Sequence, residues 1–306
     1  MAVTMRRYAG AADLRAMQSL TQREWSPDSP HHVGDLAWGR FMFTPDQVDW
    51  PIALWEADGR VVAWGWALLP DDLRLQIDPA HPELLDEVLT WFDKVAAGGP
   101  CEINPLATQR GVHAALVRYG YQRQEGAPYF AYHSRSLTGL PEAVTPGGFT
   151  ARSLGDAGES ESDGDLERRV AVHRAAWNST RVTADSYRAV MGAWPYRAEL
   201  DWVVEAPDGR FAANCLVWYD DVHRVGLVEP VGTHPDFRRR GLSRAVCLAA
   251  LHAVRRAGAT VAVVYPRGDA GYPVPQHLYR SLGFRPYDRT RAYIKAGRRR
   301  GAPLPA

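Results

Sequence analysis

A strand, a basic turn and a helix follow one another in residues 227–257, which read LVEPVGTHPDFRRRGLSRAVCLAALHAVRRA. The apolar start ends at Thr233, and the turn at 238–243 reads RRRGLS. The following run contains neither Gly nor Pro, which predicts a helix. Amide N–H groups in the first helical turn have no partner inside the helix, and the helix dipole favours negative charge there. This order of elements therefore predicts a binding site for a phosphate group.

The residue types in the turn fit that prediction. Gly241 lets the backbone approach a ligand closely, and Ser243 keeps the helix start uncrowded. Arginine side chains can add charge-assisted hydrogen bonds to phosphates. Cations are unfavourable at this end of a helix dipole, so their number favours an anionic ligand over a merely solvated basic turn.

The spacing of Arg238, Gly241 and Ser243 resembles the acetyl-CoA loop of the GNAT superfamily of N-acetyltransferases, Gln/Arg-x-x-Gly-x-Gly/Ala. Ser243 departs from the usual Gly or Ala, but it is also small. A second segment, LYRSLGF at 278–284, resembles the LY-x-x-x-GF segment near the end of the same fold. Together the two matches place the resemblance on residues 148–296. It implies an α/β (α+β) domain, with a mixed, mostly antiparallel sheet flanked by helices.

Composition limits the classes of protein to consider. A chain of 306 residues is more typical of two domains than one. A net charge of +1 gives no general support for binding to nucleic acid or to an anionic membrane. No stretch approaches the roughly 20 apolar residues of a membrane span. Three scattered cysteines match neither a disulfide framework nor a zinc site, so we expect a cytoplasmic protein without a metal.

The first half repeats the predicted element order of the second half. Hydrophobic periodicity and turn signals predict β-α-ββ-β-α-β-α-β, ending in a strand at 129–136. The second half is expected to end in a strand at 292–294. The Pro- and Gly-rich segment 138–148 separates the halves. We therefore predict tandem GNAT-like domains at 1–140 and 148–296, followed by a flexible tail at 297–306.

The phosphate turn is not repeated in the first half. Its counterpart at 78–85 reads DPAHPELL and contains no glycine. Asp78 and Glu83 would each repel a diphosphate by about 1 kcal/mol or more at close range. Leu116 stands where the second half has Tyr279. The first half is either a degenerate copy or a fold that never bound the cofactor, and both alternatives predict no catalysis there.

Pro230 interrupts the strand predicted at 222–233. Because proline donates no ladder hydrogen bond, it belongs at a bulge or at an unpaired edge. The resemblance implies that this strand splays from its neighbour and pairs with the pantetheine arm of acetyl-CoA. The implied cofactor contacts are Val231, Gly232, Thr233, Arg238, Arg239, Arg240, Gly241, Leu242, Ser243 and Arg244.

Acetyl transfer to an amine requires two proton transfers. By its position in the resemblance, Tyr279 is the candidate acid, since a phenol is protonated at neutral pH. Glu229 is the candidate base, because a carboxylate in an apolar cleft can have its pKa raised toward neutrality. The alternative for Glu229 is a surface carboxylate or a salt bridge to Arg238. Tyr272 and Pro275 depart from the Asn and Ala that are frequent in the family.

The resemblance implies that the first helical pair of the second half, at 166–176 and 183–191, covers the acceptor side of the cleft. Four aromatic residues there are candidate substrate contacts, and core packing is the alternative for each: Trp177, Tyr187, Trp194 and Tyr196. We predict an acetyl-CoA-dependent N-acetyltransferase acting by direct transfer on a primary amine of a small molecule or peptide. The alternative is a non-catalytic acyl-CoA-binding regulatory protein.

Overall fold

The computed structural model describes residues 2–43, 50–156 and 162–297. Within these ranges no helix has the length and apolar character needed to cross a membrane. The predicted flexible tail lies outside the described residues from position 298 onward.

The secondary structure alternates strands and helices in both halves. In chain order, the elements before residue 140 are β1 (Thr4–Arg7), α1 (Ala11–Arg23), α2 (Val33–Phe41), β2 (Ile52–Ala57), β3 (Arg60–Leu68), β4 (Asp72–Ile77), α3 (Leu84–Val95), β5 (Cys101–Ile103), α4 (Arg110–Arg118), β6 (Gln122–Arg123) and β7 (Ala131–Ser136). The elements after it are β8 (Thr150–Ser153), α5 (Ser162–Trp177), α6 (Ala184–Met191), β9 (Asp201–Glu205), β10 (Phe211–Asp220), β11 (Val225–Thr233), α7 (Leu242–Arg256), β12 (Val261–Val264), α8 (Val274–Ser281), β13 (Arg285–Arg289) and β14 (Tyr293–Lys295).

The strands form two seven-stranded sheets. Their orders are β1-β2-β3-β4-β5-β14-β6 and β13-β7-β12-β11-β10-β9-β8. Most neighbouring strands are antiparallel, but β4 runs parallel to β5, and β11 runs parallel to β12. Parallel neighbours need a crossover, which α3 supplies in one sheet and α7 in the other. The predicted fold class, two mixed and mostly antiparallel sheets flanked by helices, is confirmed.

The two halves of the chain exchange strands. Strand β7 comes from the first half but pairs with β12 in the second sheet. Strand β14 comes from the end of the second half but pairs with β5 and β6 in the first sheet. Helix α2 also belongs to the second compact unit, whose described residues are 32–43, 131–156 and 162–287.

The predicted domain ranges, 1–140 and 148–296, therefore differ from the compact units of the structure. The strands expected at 129–136 and 292–294 are both present, but each lies in the sheet opposite to the expected one. Side-chain alternation identifies a strand, but it does not identify the partner, which contacts distant in sequence select. The assignment of catalysis to the second half stays a prediction.

Strand β10 is the centre of the second unit. All ten of its residues are buried, because helices cover both faces of the sheet. Helix α7 packs its apolar side, including Val246 and Leu251, against Cys215 and Val217 of β10. Helices α5 and α2 pack against this strand as well. A strand enclosed in this way has a nearly continuous apolar sequence, as FAANCLVWYD does.

Helix α2 has no counterpart among the predicted elements. Its N-cap is His32, whose Nδ1 accepts the N–H of Gly34 at 3.1 Å. The carboxylate of Asp35 accepts the N–H of His32 at 3.0 Å and completes the capping box. Histidine is not among the residues preferred at this position, so the sequence signal for the helix start is weak. Gly34 lies against Trp218, and an added Cβ would come within 2.1 Å of the Cβ of that residue.

Gly34→Ala is expected to lower the free energy of unfolding by about 2 kcal/mol, because overpacking a core costs roughly 1–3 kcal/mol. The matched control is Gly111→Ala. Each glycine is the second residue of its helix, but a Cβ at Gly111 would meet no atom within 4 Å. Helix propensity predicts that this control is more stable by up to about 1 kcal/mol. Urea unfolding followed by circular dichroism measures both variants, and equal changes would contradict the prediction.

Candidate active site

The turn between β11 and α7 leaves the start of the helix open. A short 3-10 helix, Pro235–Phe237, leads into the turn, and Gly241 is the N-cap of α7. Among the described residues, no side chain caps the amides of α7, and its first turn contains no acid. These amides are therefore available to a ligand, and the helix dipole favours an anion.

Two residues of this turn have a left-handed backbone conformation. Their φ angles are 61° at Arg239 and 79° at Gly241. Left-handed residues placed between right-handed ones direct neighbouring N–H groups toward one side and form an anion-binding concavity. A Cβ at Gly241 would meet no atom within 4 Å, so open space adjoins the backbone. This geometry suits the close approach expected at Gly241.

Arginine side chains surround the same turn. The exposed ones are Arg238, Arg239, Arg240 and Arg244. In the part of the chain that the structure describes, none of the four pairs with a carboxylate. Arg238 donates instead to the main-chain oxygens of Ala176, at 3.1 Å, and Thr233, at 3.4 Å. The corner therefore carries positive charge that no acidic side chain of the described residues pairs with directly.

Ser243 joins the end of the strand to the start of the helix. Its Oγ lies 2.6 Å from Oγ1 of Thr233, so the serine that stands in place of the usual Gly or Ala forms a hydrogen bond with Thr233. The side chain of Leu242 is 1% exposed and packs in the core. Leu242 can therefore offer a ligand its amide but not its side chain.

A gap opens between β11 and β12. The two strands pair only where Val225–Leu227 face Val261–Val263. Farther along, no described strand pairs with the β12 side of β11. The other side remains paired with β10 through Val231, Gly232 and Thr233. The sheet thus presents backbone groups to the gap, and such groups need partners.

Pro230 lies in a β-bulge of β11. The register shifts between the pairs Val228–Val217 and Val231–Cys215, so two residues of β11 oppose one residue of β10. Pro230 is one of the two. Its missing N–H removes a ladder donor where the ladder is already interrupted. The prediction that this proline lies at a bulge or unpaired edge is confirmed.

Tyr279 is buried on α8, with 7% of its surface exposed, and its ring packs edge-on against Phe284 at 5.7 Å. Burial raises the pKa of Tyr279 well above its usual value, and Cys247, Cys215 and Glu229 raise it further. The phenol therefore keeps its proton at neutral pH, as a proton donor must.

Glu229 is half-buried in the bulge, close enough to Tyr279 to influence the pKa of the phenol. Its main-chain oxygen accepts the indole N–H of Trp218 at 2.8 Å. Arg238 forms no salt bridge with it in the described chain, so the alternative of that ion pair is not found. The structure thus brings the two residues predicted to be catalytic into the same region of the second unit.

Trp177 ends α5 and packs on the strand beside the gap. A Cβ at Gly232 would come within 2.4 Å of its indole ring, so the indole lies directly against the glycine backbone. Trp177 remains 44% exposed and stacks on His173, with ring centres 4.2 Å apart. Burial, assisted by Arg169, lowers the pKa of His173 to about 3, so the imidazole is neutral at physiological pH. Trp177 is thus well placed for its predicted contact with a substrate.

Tyr187 belongs instead to a buried polar cluster. Its hydroxyl and that of Tyr196 both donate to Oδ2 of Asp201, the latter at 3.3 Å. Arg169 donates from Nε to Oδ1 of the same carboxylate at 2.9 Å. Since Tyr187, Arg169 and Asp201 are fully buried, the predicted substrate contact at Tyr187 does not fit the structure. Trp194 and Tyr196 are half-buried, and their substrate roles stay predictions.

Several buried polar residues on α5 and on the strands against it were not predicted from the sequence. Asp201 and Arg169 form the ion pair just described, and Asn214 is a fully buried amide opposite Gly232. Neither side-chain atom of the Asn214 amide has a partner among the described residues. One signal was available, because Asn214 is a polar residue inside an otherwise apolar strand.

The equivalent corner of the first unit is acidic. Asp78 accepts the N–H of Ala80 at 2.9 Å and pairs with Arg23 at 3.3 Å. The first turn of α3 carries Asp86 and Glu87. These carboxylates already complement the helix dipole and would repel a phosphate group. That this half binds no cofactor stays a prediction.

Fold and candidate site together define a class of structure: in the described residues, a tandem α/β chain with a gapped sheet beside an uncapped helix start. Residues 204–293 match the family model of the FR47-like proteins. Over 178 residues the chain is 29% identical to the mycothiol acetyltransferase of Rhodococcus erythropolis, an alignment that covers 51% of this chain and 53% of that protein. The chain therefore spans about half the length of this curated relative.

Solved structures share the tandem fold. A tandem GNAT protein from the clavulanic acid biosynthesis pathway superposes with a TM-score of 0.63 and 16% identity, covering 96% of this chain and 98% of that chain. A GCN5-related N-acetyltransferase from Sphaerobacter thermophilus superposes with a TM-score of 0.60 and 18% identity, covering 96% of this chain and 95% of that chain. Likeness at such identities concerns the fold alone. The chain thus has the fold of the tandem GNAT proteins, and its second half also contains the family-model match and the two motifs.

Tyr187→Phe is expected to lower the free energy of unfolding by about 1.5–3 kcal/mol, because the buried Asp201 carboxylate loses the hydrogen bond from the Tyr187 hydroxyl. Tyr196→Phe is the comparison variant, and its longer, partly exposed hydrogen bond predicts a smaller loss. Chemical unfolding measures both. Unchanged stability of Tyr187→Phe would contradict a structural role and would return this residue to the candidate substrate contacts.

Proposed function

We propose that the chain is an acetyl-CoA-dependent N-acetyltransferase that uses only the site in its second unit. The acetyl group passes directly to a primary amine of a small molecule or peptide. The observation that carries the proposal is the start of α7, which in the described structure has no side-chain cap, is open at Gly241 and is surrounded by arginines without acidic partners. The names of the relatives, which are acetyltransferases, support the same reaction class.

The residues of the corner fit coenzyme A. The diphosphate would be held by backbone amides and by charge, from Arg238, Arg239, Arg240, Gly241, Leu242, Ser243 and Arg244. The pantetheine arm would pair with the exposed edge of β11 at Val231, Gly232 and Thr233. When bound, acetyl-CoA supplies an activated thioester and a thiolate leaving group.

Two side chains carry the proton transfers in this proposal. Tyr279 holds a proton on its hydroxyl and donates it to the leaving sulfur. The carboxylate of Glu229 accepts a proton from the attacking amine. Positioned acids and bases of this kind contribute roughly 100- to 10,000-fold to the rate. Trp177 covers the backbone of Gly232, where it excludes water and offers an aromatic surface to the acceptor.

Small molecules are the first acceptors to test, since one relative is named for mycothiol. A cytoplasmic location is part of the proposal, because all three cysteines are free, buried thiols.

Gly241→Asp is expected to weaken acetyl-CoA binding by about 50-fold or more, because a carboxylate would occupy the space of the diphosphate. The control is Gly59→Asp, which introduces the same charge at another left-handed glycine with open space around it. Isothermal titration calorimetry measures affinity, and about one site per chain is expected. Equal affinities of the two variants would exclude this corner as the cofactor site.

Tyr279→Phe is expected to lower kcat roughly 100- to 10,000-fold while leaving acetyl-CoA affinity unchanged, because only the proton donor is removed. Tyr121→Phe, a buried tyrosine of the first unit, is the control. Release of free CoA thiol across an amine library measures turnover. Tight binding without release for any amine would instead support the non-catalytic acyl-CoA-binding alternative.

A further inference from the structure

Three aromatic rings connect helix α2 with the gap beside β11. The indole of Trp38, on α2, packs edge-on against His173 of α5, with ring centres 5.5 Å apart. His173 in turn stacks on Trp177, with ring centres 4.2 Å apart and 19° between the ring planes. We call these three residues the aromatic stack. Trp38 and His173 are each 5% exposed and Trp177 is 44% exposed, so the stack leads from the core to the surface.

The Trp177 end of the stack lies where the edge of β11 meets the turn before α7. Its indole contacts the backbone of Gly232, which would place an added Cβ within 2.4 Å of the ring atom Cζ3. The main-chain oxygen of the preceding residue, Ala176, accepts a hydrogen bond from Arg238 of the turn at 3.1 Å. Because His173 covers one face of the indole, the exposed ring surface lies on its remaining sides, next to the gap.

The Trp38 end of the stack is fixed in the core. Trp38 also packs edge-on against Tyr187 of α6, with ring centres 6.3 Å apart, and the Tyr187 hydroxyl donates to Asp201. Helix α2 itself is held by the close contact between Gly34 and Trp218. Since α2 precedes β2 in the chain, the first half supplies the buried end of the stack.

His173 lies between the two indoles. Its Nδ1 is buried and has no hydrogen-bond partner among the described residues, so ring contacts, rather than a hydrogen bond at this atom, orient the imidazole. Burial, with a further contribution from Arg169, lowers the pKa of His173 to about 3. The ring behind Trp177 is therefore uncharged at neutral pH.

We propose that Trp38 and His173 are positioning residues that hold the Trp177 indole at the gap, where its exposed surface binds the ammonium group of the acceptor. This inference rests on the proposed function and adds to it the charged form in which the amine binds. An alkyl amine carries a proton at neutral pH, and the face of an indole attracts an ammonium group.

The arrangement of the stack suits this role in two ways. A charged ring 4.2 Å behind the indole would repel an ammonium group in front of it, whereas a neutral imidazole does not. An indole that is already held in place also avoids the entropy cost of ordering a free side chain when the acceptor binds.

The first test follows the full chain, labelled with 5-fluorotryptophan, by fluorine NMR. The Trp177 resonance is the one that disappears in Trp177→Phe. Propylammonium chloride should shift this resonance with an apparent Kd at least about three-fold below that of propanol, its uncharged counterpart, because cation–π contacts contribute roughly two- to thirty-fold to affinity. His173→Ala should abolish this preference and move the resonance of the free protein.

Matched variants separate stacking from a general loss of structure. His173→Phe, which keeps a stacked ring, should retain the preference, and Trp38→Leu should weaken it because His173 loses its edge-on neighbour. The control is His113→Ala, which removes an imidazole that packs on Tyr293 at 5.2 Å in the first unit and should leave the wild-type values unchanged. Circular dichroism verifies folding. If His173→Ala does not fold, His173→Leu, which also lacks a ring, replaces it with the same expected result.

Turnover supplies a second readout, with the amine of the library that is acetylated fastest. His173→Ala should raise the acceptor KM by about two- to thirty-fold while kcat and the acetyl-CoA KM stay unchanged, and His173→Phe should restore the wild-type KM. A change in kcat at constant acceptor KM overturns the positioning role.

Equal affinities of wild type for propylammonium and propanol overturn ammonium binding at Trp177. An unmoved Trp177 resonance in His173→Ala, or equal losses in His173→Ala and His173→Phe, overturns positioning by the stack. The NMR titration requires no acetyl-CoA. A preference for propylammonium without any release of CoA therefore supports the ammonium site and overturns only the proposed reaction.

Discussion

A strand that, among the described residues, lacks a neighbouring strand along part of one edge is the feature on which the candidate site depends. Strand β11 pairs with β10 along its length, but it pairs with β12 only as far as Leu227. Pro230, which has no N–H to offer, lies in the bulge just beyond that point. Because β10 holds one side of β11, the other side can remain open without loss of the strand. The same strand leads directly into the turn before α7, so the gap and the helix start adjoin.

The exchange of strands gives the first half a structural role in the second unit. Strand β7 covers the side of β12 that would otherwise be an exposed edge, and exposed edges favour unwanted pairing. Helix α2 packs its glycine against Trp218 of β10. The first half thus completes the sheet that carries the gap, although its own corner is acidic. A half of the chain without a phosphate turn can still be needed for the fold.

The extent of burial distinguishes between aromatic residues that, from the sequence alone, were equally good candidates for substrate contact. Both Tyr187 and Trp177 lie on the helical pair α5 and α6. Tyr187 is enclosed beside Asp201, whereas Trp177 remains partly exposed beside Gly232. A buried carboxylate is stable only with partners, so Asp201 recruits Arg169 and two hydroxyls into one cluster. The residues next to Asp201 in the sequence do not predict these partners, because the partners come from α5, from α6 and from the segment that follows α6.

Local chemistry was readable from the amino-acid sequence. Glycine and arginine spacing predicted the turn at Gly241, proline predicted the interruption of β11, and periodicity predicted most elements, because each of these depends on a few neighbouring residues. Three features were decided only in the folded chain: the sheet that each terminal strand joins, the helix capped by His32, and the burial of Tyr187. They depend on contacts between segments far apart in sequence, and such contacts leave no periodic signal in either segment alone.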